Sequence, residues 1–100
     1  MIFQVGATLL DACVLATLEK GDTYGYALTQ TLQQVLGVSE STLYPVLRRL
    51  MKEQCLKAYD QPWQGRNRRY YTITAQGRER SKVYKEEWKR YKSGLDGLLG

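Results

Sequence analysis

The amino-acid sequence predicts a mainly α-helical fold with a small β-hairpin, and three observations support this class. Two apolar helical patterns meet at a short turn around Val38, two β-type segments follow around a basic stretch, and a long helical pattern comes last. Apolar residues at spacings of three and four indicate helices, whereas alternation with aromatic and β-branched residues indicates strands. A hairpin directly after two tightly joined helices is typical of a winged helix-turn-helix. We therefore divide the chain into a winged helix-turn-helix unit, residues 1–74, and a C-terminal helix, residues 75–100.

The first helix is predicted over residues of about 5–20. Leu10, Val14 and Leu18 recur at a spacing of four, which places them on one face of a helix. Gly21 is expected to end this helix, because glycine is common just after a last helical turn.

The second helix is predicted to start after Asp22 and Thr23, either of which can cap it. Its apolar face consists of Leu28, Leu32, Val35 and Leu36. Gly37 closes it. Gly25 lies near its start, where a glycine weakens a helix, so we expect either a close backbone approach or fraying of the first turn.

The third helix, residues 39–52, has two different faces, and Ser39 is expected to cap it through its hydroxyl. The apolar face is formed by Leu43, Val46, Leu47 and Leu50, whereas the opposite side carries Ser41, Tyr44, Pro45, Arg48 and Lys52. Short hydroxyl side chains approach base edges and phosphates closely and arginine reaches further, which suits a helix in a DNA major groove. An ordinary amphipathic surface helix is the alternative, and the segment that follows favours the first interpretation.

Residues 56–59 and 68–73 are predicted as two short strands that flank a loop at residues 60–65. The tip of this hairpin is basic and contains Arg66, Asn67, Arg68 and Arg69. A basic hairpin after a helix-turn-helix is a wing, whose arginines can reach backbone phosphates or a minor groove. The alternative is a solvated turn in which arginine serves only solubility.

The net charge is +5, and the basic residues are concentrated in the later part of the chain. Residues 1–38 carry one basic and three acidic residues, whereas residues 78–92 carry seven basic and three acidic ones. An anionic partner is therefore expected, and nucleic acid is the commonest one for a small basic domain. A membrane surface fits less well, since no basic helix has a broad apolar face that the core does not need.

The last helix is predicted to begin after Thr74, which can cap it. Its apolar residues, Tyr84, Trp88, Tyr91, Leu95 and Leu98, alternate at spacings of four and three. Such a narrow seam on an otherwise charged helix is typical of a helix that pairs with another helix.

The residue inventory argues against an enzyme. The sequence has no histidine, the commonest general base, and no Gly-rich phosphate-binding loop. Cys13 and Cys55 lie among apolar residues without metal-ligand spacing, so both are predicted to be buried thiols, and no metal or cofactor is expected. No apolar run could span a bilayer and residues 1–5 lack the basic start of a secretory signal, so a cytoplasmic location is expected.

Three segments, residues 21–26, 39–50 and 65–74, resemble the PadR family of bacterial transcriptional regulators. The runs Thr-Leu-Tyr-Pro and Arg-Arg-Tyr-Tyr carry most of this likeness. The resemblance implies DNA binding by a homodimer, usually in repression, with the first and last helices forming the dimer. It also implies that aromatic residues at that interface could hold a small flat aromatic effector. The chain departs from the family pattern at Gln54-Cys55, where a glycine is usual, and in having a single C-terminal helix.

These features together predict a sequence-specific DNA-binding transcriptional regulator, a repressor that acts as a homodimer on a pseudo-palindromic operator. The residues expected to contact double-stranded DNA are Tyr24, Ser39, Ser41, Thr42, Tyr44, Pro45, Arg48, Arg49, Arg66, Asn67, Arg68 and Arg69. The residues expected at the dimer interface or in an effector pocket are Leu10, Tyr84, Trp88, Tyr91, Leu95 and Leu98. The alternative is a winged helix for protein or RNA contacts, although a protein-binding centre should be poor in charge and RNA recognition favours exposed aromatic platforms.

Overall fold

The computed structural model describes residues 6–100, so the first residues of the predicted first helix and of the predicted 1–74 unit lie outside the described part. The elements are α1 Ala7–Glu19, β1 Thr23–Tyr24, α2 Gly25–Leu36, α3 Glu40–Lys52, β2 Leu56–Trp63, β3 Arg66–Ile73 and α4 Ala75–Leu99. The fold is mainly helical with a small antiparallel sheet, in the strand order β1-β3-β2. The predicted fold class is confirmed, and the sheet has one strand more than the predicted two-stranded wing.

The extra strand β1 changes how α2 begins. Thr23 and Tyr24 pair with Tyr71 and Tyr70 of β3, and Tyr24 occupies the position before the first helical turn without a side-chain capping bond. The expectation that Asp22 or Thr23 caps α2 is therefore wrong, because sheet pairing holds this segment extended. The carboxylate of Asp22 instead accepts a hydrogen bond of 2.8 Å from the hydroxyl of Tyr59.

Helix α2 packs three leucines of its predicted apolar face into the core, but not Val35. Leu28, Leu32 and Leu36 are buried, whereas Val35 is 75% exposed, because it lies at the margin of that face beside an open groove next to α1. Gly25 is buried, and a Cβ there would lie 3.4 Å from both the Tyr44 hydroxyl and the Tyr71 ring. Of the two explanations for Gly25, the close approach is the one observed.

Helix α3 is held by the four apolar residues that the sequence singled out, all of which are buried: Leu43, Val46, Leu47 and Leu50. The helix continues through Pro45 to Lys52. Ser39 occupies the cap position, but its hydroxyl makes no capping bond to the described helix. It is bonded instead to the Ser41 hydroxyl at 2.8 Å and to the Thr42 hydroxyl at 3.2 Å, so the predicted position is right and the predicted capping bond is wrong.

The wing is longer and its turn tighter than the sequence predicts. Strands β2 and β3 pair continuously from Leu56 opposite Ile73 to Trp63 opposite Arg66. Gln64 and Gly65, both with positive φ, form the turn, so the predicted loop over residues 60–65 is wrong. Pro62 is accommodated because β2 is an edge strand, where a missing N–H does not break a ladder on both sides.

One core joins all of these elements. Its buried residues are Leu10, Val14, Leu15, Leu18, Leu28, Leu32, Leu36, Leu43, Val46, Leu47, Leu50, Cys55, Leu56, Tyr71 and Ile73. Cys55 is buried and Cys13 half-buried, both are free thiols, and burial raises the pKa of each. The predicted burial is therefore complete for Cys55 and partial for Cys13.

The junction between α3 and α4 is held by the turn at Gln54 and Cys55. Gln54 has a φ of 63°, the left-handed conformation that a glycine would adopt more readily. The Thr74 hydroxyl donates to the Gln54 carbonyl at 2.7 Å and accepts from the Gly77 N–H at 3.0 Å, which confirms the predicted cap of α4. Gly77 is buried directly against the Cys55 carbonyl, where a larger residue has no room.

Helix α4 packs its first half against α1 and then extends beyond the rest of the domain to Leu99. The buried Ser81 donates a hydrogen bond to the carboxylate of Glu19, and this bond lowers the pKa of that carboxyl. Lys85 pairs with the same carboxylate at 3.2 Å. Among residues 6–100, none of the helices combines the length and apolarity that crossing a membrane requires.

We predict that Gly77→Ala destabilises the fold by about 1–3 kcal/mol, the usual range for inserting a methyl group into a tightly packed site. The added Cβ would overlap the Cys55 carbonyl oxygen and lie 2.8 Å from Cγ1 of Ile73. Chemical unfolding of the two proteins measures the difference.

Gly94→Ala is the matched control, since Gly94 lies in the same helix and a Cβ there meets no atom of residues 6–100 within 4 Å. Alanine there should leave stability unchanged or raise it by up to about 1 kcal/mol through helix propensity. Equal stability of the Gly77 variant and the wild type would contradict the packing argument.

Candidate nucleic-acid interface

The outward face of α3 presents small polar side chains at its start and a cation further along. Ser41, Thr42, Pro45 and Arg48 are all exposed, while the opposite face of the helix is buried in the core. The linked hydroxyls of Ser39, Ser41 and Thr42 lie at the helix N-terminus, where the helix dipole favours anions. This surface can therefore approach a phosphate at one end and a base edge at the other.

Tyr44 is half-buried, and its hydroxyl lies beside Gly25 and the ring of Tyr71. Burial raises the pKa of Tyr44 above its usual value. Its ring thus packs α3 onto α2 and the wing, and only part of the ring remains on the outward face.

Arg48 and Arg49 are adjacent in sequence but have different surroundings. Arg48 is exposed. Arg49 is paired with the buried carboxylate of Asp11 and with Glu53 at 3.3 Å, and the bond to Asp11 raises the pKa of Arg49. The Glu53 carboxylate also accepts from Arg80, and these two arginines lower its pKa. Arg49 therefore ties α3 to α1, a structural role that the sequence did not predict for it.

Near the tip of the wing, the side chains of Arg66, Asn67 and Arg69 are exposed. Arg68 differs from them, because its guanidinium carbon lies 3.5 Å from the ring centre of Trp63 and 4.0 Å from that of Tyr24. The wing arginines thus form a basic edge beside α2, with one of them lying over two aromatic rings.

Of the aromatic residues on this side of the sheet, the sequence predicted a site role only for Tyr24 and missed Tyr59, Trp63 and Tyr70. Tyr24 packs edge-on against Tyr70 at 5.7 Å, and Tyr70 stacks on Tyr59 at 5.6 Å between ring centres. Trp63 adds a fourth ring and is 44% exposed. Tyr59 and Tyr70 stack because they lie opposite each other in the hairpin. The sequence alone does not define this register, so it gave no signal for the stacking.

A second surface lies between α1 and α4. Two adjoining apolar grooves, of about 330 and 320 Å³, share Leu9, Ala12, Tyr84 and Trp88 in their walls. Of the predicted apolar seam of α4, Tyr84 and Leu95 are half-buried, whereas Trp88, Tyr91 and Leu98 are exposed. Leu10 is only 6% exposed, because it points into the chain's own core, so Leu9 and Ala12 form the α1 side of this surface.

Comparison with known proteins places this geometry in a family context. Residues 14–83 match the sequence profile of the transcriptional regulator PadR-like family. An uncharacterised protein of Lysinibacillus sphaericus is 32% identical over 92 residues, which cover 87% of this chain and 84% of that protein.

Solved structures agree in fold over nearly the whole chain. A crystal structure from Streptococcus mutans is 39% identical, with a TM-score of 0.91 over 99% of this chain and 93% of that one. A PadR-like transcriptional regulator from Bacillus cereus is 31% identical, with a TM-score of 0.83 over 91% of each chain. A PadR family transcription regulator from Clostridium difficile is 29% identical, with a TM-score of 0.82 over 91% of this chain and 98% of that one.

Proposed function

Because the chain belongs to the PadR-like family of transcriptional regulators, we propose that it is a sequence-specific repressor that binds a pseudo-palindromic operator as a homodimer. The supporting observation is the exposed face of α3, with Ser41, Pro45 and Arg48 outward and its apolar face fixed in the core. A reading helix needs both properties, since direct readout requires side chains held at a fixed distance from the bases. A cytoplasmic location, where bacterial DNA is found, belongs to the same proposal.

The proposed contacts divide into base readout and phosphate binding. Arg48 is the candidate for a base edge, because arginine pairs with guanine through two parallel hydrogen bonds. The hydroxyls at the start of α3 and the exposed wing residues Arg66, Asn67 and Arg69 are candidates for phosphates or a minor groove. Tyr24 and Arg68 join this edge through their mutual stacking, whereas Tyr44 and Arg49 hold the reading helix in place.

The proposal of a homodimer is supported by the apolar surface between α1 and α4. Trp88 is 45%, Tyr91 63% and Leu98 83% exposed, and Val35 extends the same surface from α2. Large apolar side chains grouped on one exposed face usually mark an interaction site. A second copy of α4 would cover them and place two reading helices on one DNA duplex.

The same grooves support a secondary proposal, an effector site for a small flat aromatic molecule. Their walls combine the rings of Tyr84, Trp88 and Tyr91 with aliphatic residues of α1. Stacking on such rings favours planar ligands.

We predict that Arg48→Ala weakens operator binding by about 1–3 kcal/mol, because a bidentate base contact is lost, and weakens binding to a scrambled duplex much less. Binding of both duplexes at one stated salt concentration, with duplex RNA as a competitor, tests this. Equal losses on both DNA duplexes would reduce Arg48 to a phosphate contact.

Arg49→Ala is the matched control on the neighbouring residue. It should lower the unfolding free energy by about 1–3 kcal/mol, because the buried Asp11 carboxylate loses its partner. Arg48→Ala should leave the unfolding free energy unchanged, since Arg48 is exposed. An Arg49 variant of wild-type stability would contradict its assignment as a structural residue.

We predict that Trp88→Ala converts the dimer to a monomer at micromolar concentration and abolishes tight operator binding. A large aromatic side chain at the centre of a narrow seam contributes strongly to an interface, and two half-sites act together only in a dimer. Sedimentation of the variant measures the association state, and a dimer of wild-type affinity would refute the assignment.

Fluorescence of Trp88 in a Trp63→Phe background tests the secondary proposal. Planar phenolic compounds that bind beside the indole should quench it saturably. If none of them does so, Trp88 serves dimer packing alone.

A further inference from the structure

The guanidinium of Arg68, a residue of the central strand β3, lies over two aromatic rings. Its central carbon is 3.5 Å from the ring centre of Trp63 and 4.0 Å from that of Tyr24, well inside the distance for a cation–π contact. The ion pairs of residues 6–100 use other basic residues, namely Arg49, Arg80, Lys85 and Arg90. Arg68 is thus held by rings, and no carboxylate in this described part neutralises it.

The two rings are supported differently. Tyr24 packs against Tyr70, which stacks on Tyr59, whose hydroxyl donates to Asp22, so the Tyr24 side is fixed to the body of the domain. Trp63 is the last residue of β2, opposite Arg66 and directly before the turn of the wing, and it is 44% exposed. The indole therefore contacts Arg68 from the turn end of the hairpin.

A guanidinium that lies over aromatic rings keeps its N–H donors available. Its N–H donors lie in the plane of the group, so contact with the Trp63 and Tyr24 rings restricts its rotation without using those donors. A side chain that is ordered before binding loses less conformational entropy when it meets a phosphate. Lysine could not reproduce this arrangement, because an ammonium group has no plane to stack.

We propose that Trp63 is a positioning residue for DNA binding, which holds Arg68 in the orientation that donates to a phosphate. This inference rests on the proposed function, because it needs the wing to contact DNA. It assigns a role to a residue outside the predicted DNA contacts and makes Arg68 the preorganised arginine of the wing.

A double-mutant cycle tests the proposal on the full chain. The probe is a duplex enriched from a random pool by the wild-type protein, or a random-sequence duplex if none is enriched, at one salt concentration. Trp63→Ala should weaken binding about fivefold, in line with a cation–π contact at a partly exposed site. The same substitution in an Arg68→Ala background should change affinity by less than about twofold, because Trp63 acts through Arg68.

Two further variants separate positioning from general damage to the wing. Trp63→Phe retains a ring and should stay within about threefold of wild-type affinity. Gln61 lies on β2, the strand of Trp63, and pairs with Arg68 of β3. Gln61→Ala should leave DNA affinity unchanged. Thermal unfolding of each variant establishes that the fold is retained.

The outcomes distinguish failure of the Trp63 role from failure of DNA binding itself. Equal losses from Trp63→Ala in both backgrounds, or no loss in either, would overturn the role of Trp63 while leaving DNA binding intact. Failure of Trp63→Phe to restore affinity would count against stacking as the cause. A wild-type chain that binds no duplex would overturn both this inference and the proposed function.

Discussion

The close contact between Gly77 and the Cys55 carbonyl is the constraint on which the rest of the molecule depends. It lets the first turn of α4 lie directly on the turn that ends α3, and Thr74 fixes both through its hydroxyl. Arg80 adds an ion pair to Glu53 at the same turn. The direction of the long C-terminal helix α4 is thus set by the end of α3.

This junction separates the molecule into two surfaces with different chemistry. One surface carries the exposed hydroxyls and arginines of α3 and the wing, with Arg68 over the ring of Tyr24. This basic and polar surface suits an anionic partner. On the other, the rings of Trp88 and Tyr91 face an apolar groove beside α1. Since one continuous core connects the two surfaces, a second copy docked on the apolar surface would fix the relative placement of the two α3 helices.

The helices and the outward face of α3 were predictable from sequence because apolar periodicity reports burial directly. The sheet was less predictable from sequence. Strand β1 and the length of the wing depend on the pairing register, which the alternation of apolar and polar residues does not define alone. The different roles of Arg48 and Arg49 depend on Asp11, 38 residues away from Arg49, and the exposure of Val35 depends on where α1 lies. Each of these is a tertiary contact that leaves no local pattern.

The most direct test of the central claim is selection of duplexes from a random pool at stated salt, with the mass of the resulting complex measured. The account predicts two chains on one duplex and an enriched pseudo-palindrome whose half-site centres lie about 34–36 Å apart, one helical turn of DNA. A single chain bound to a single half-site, or a pool without enriched sequence, would contradict it.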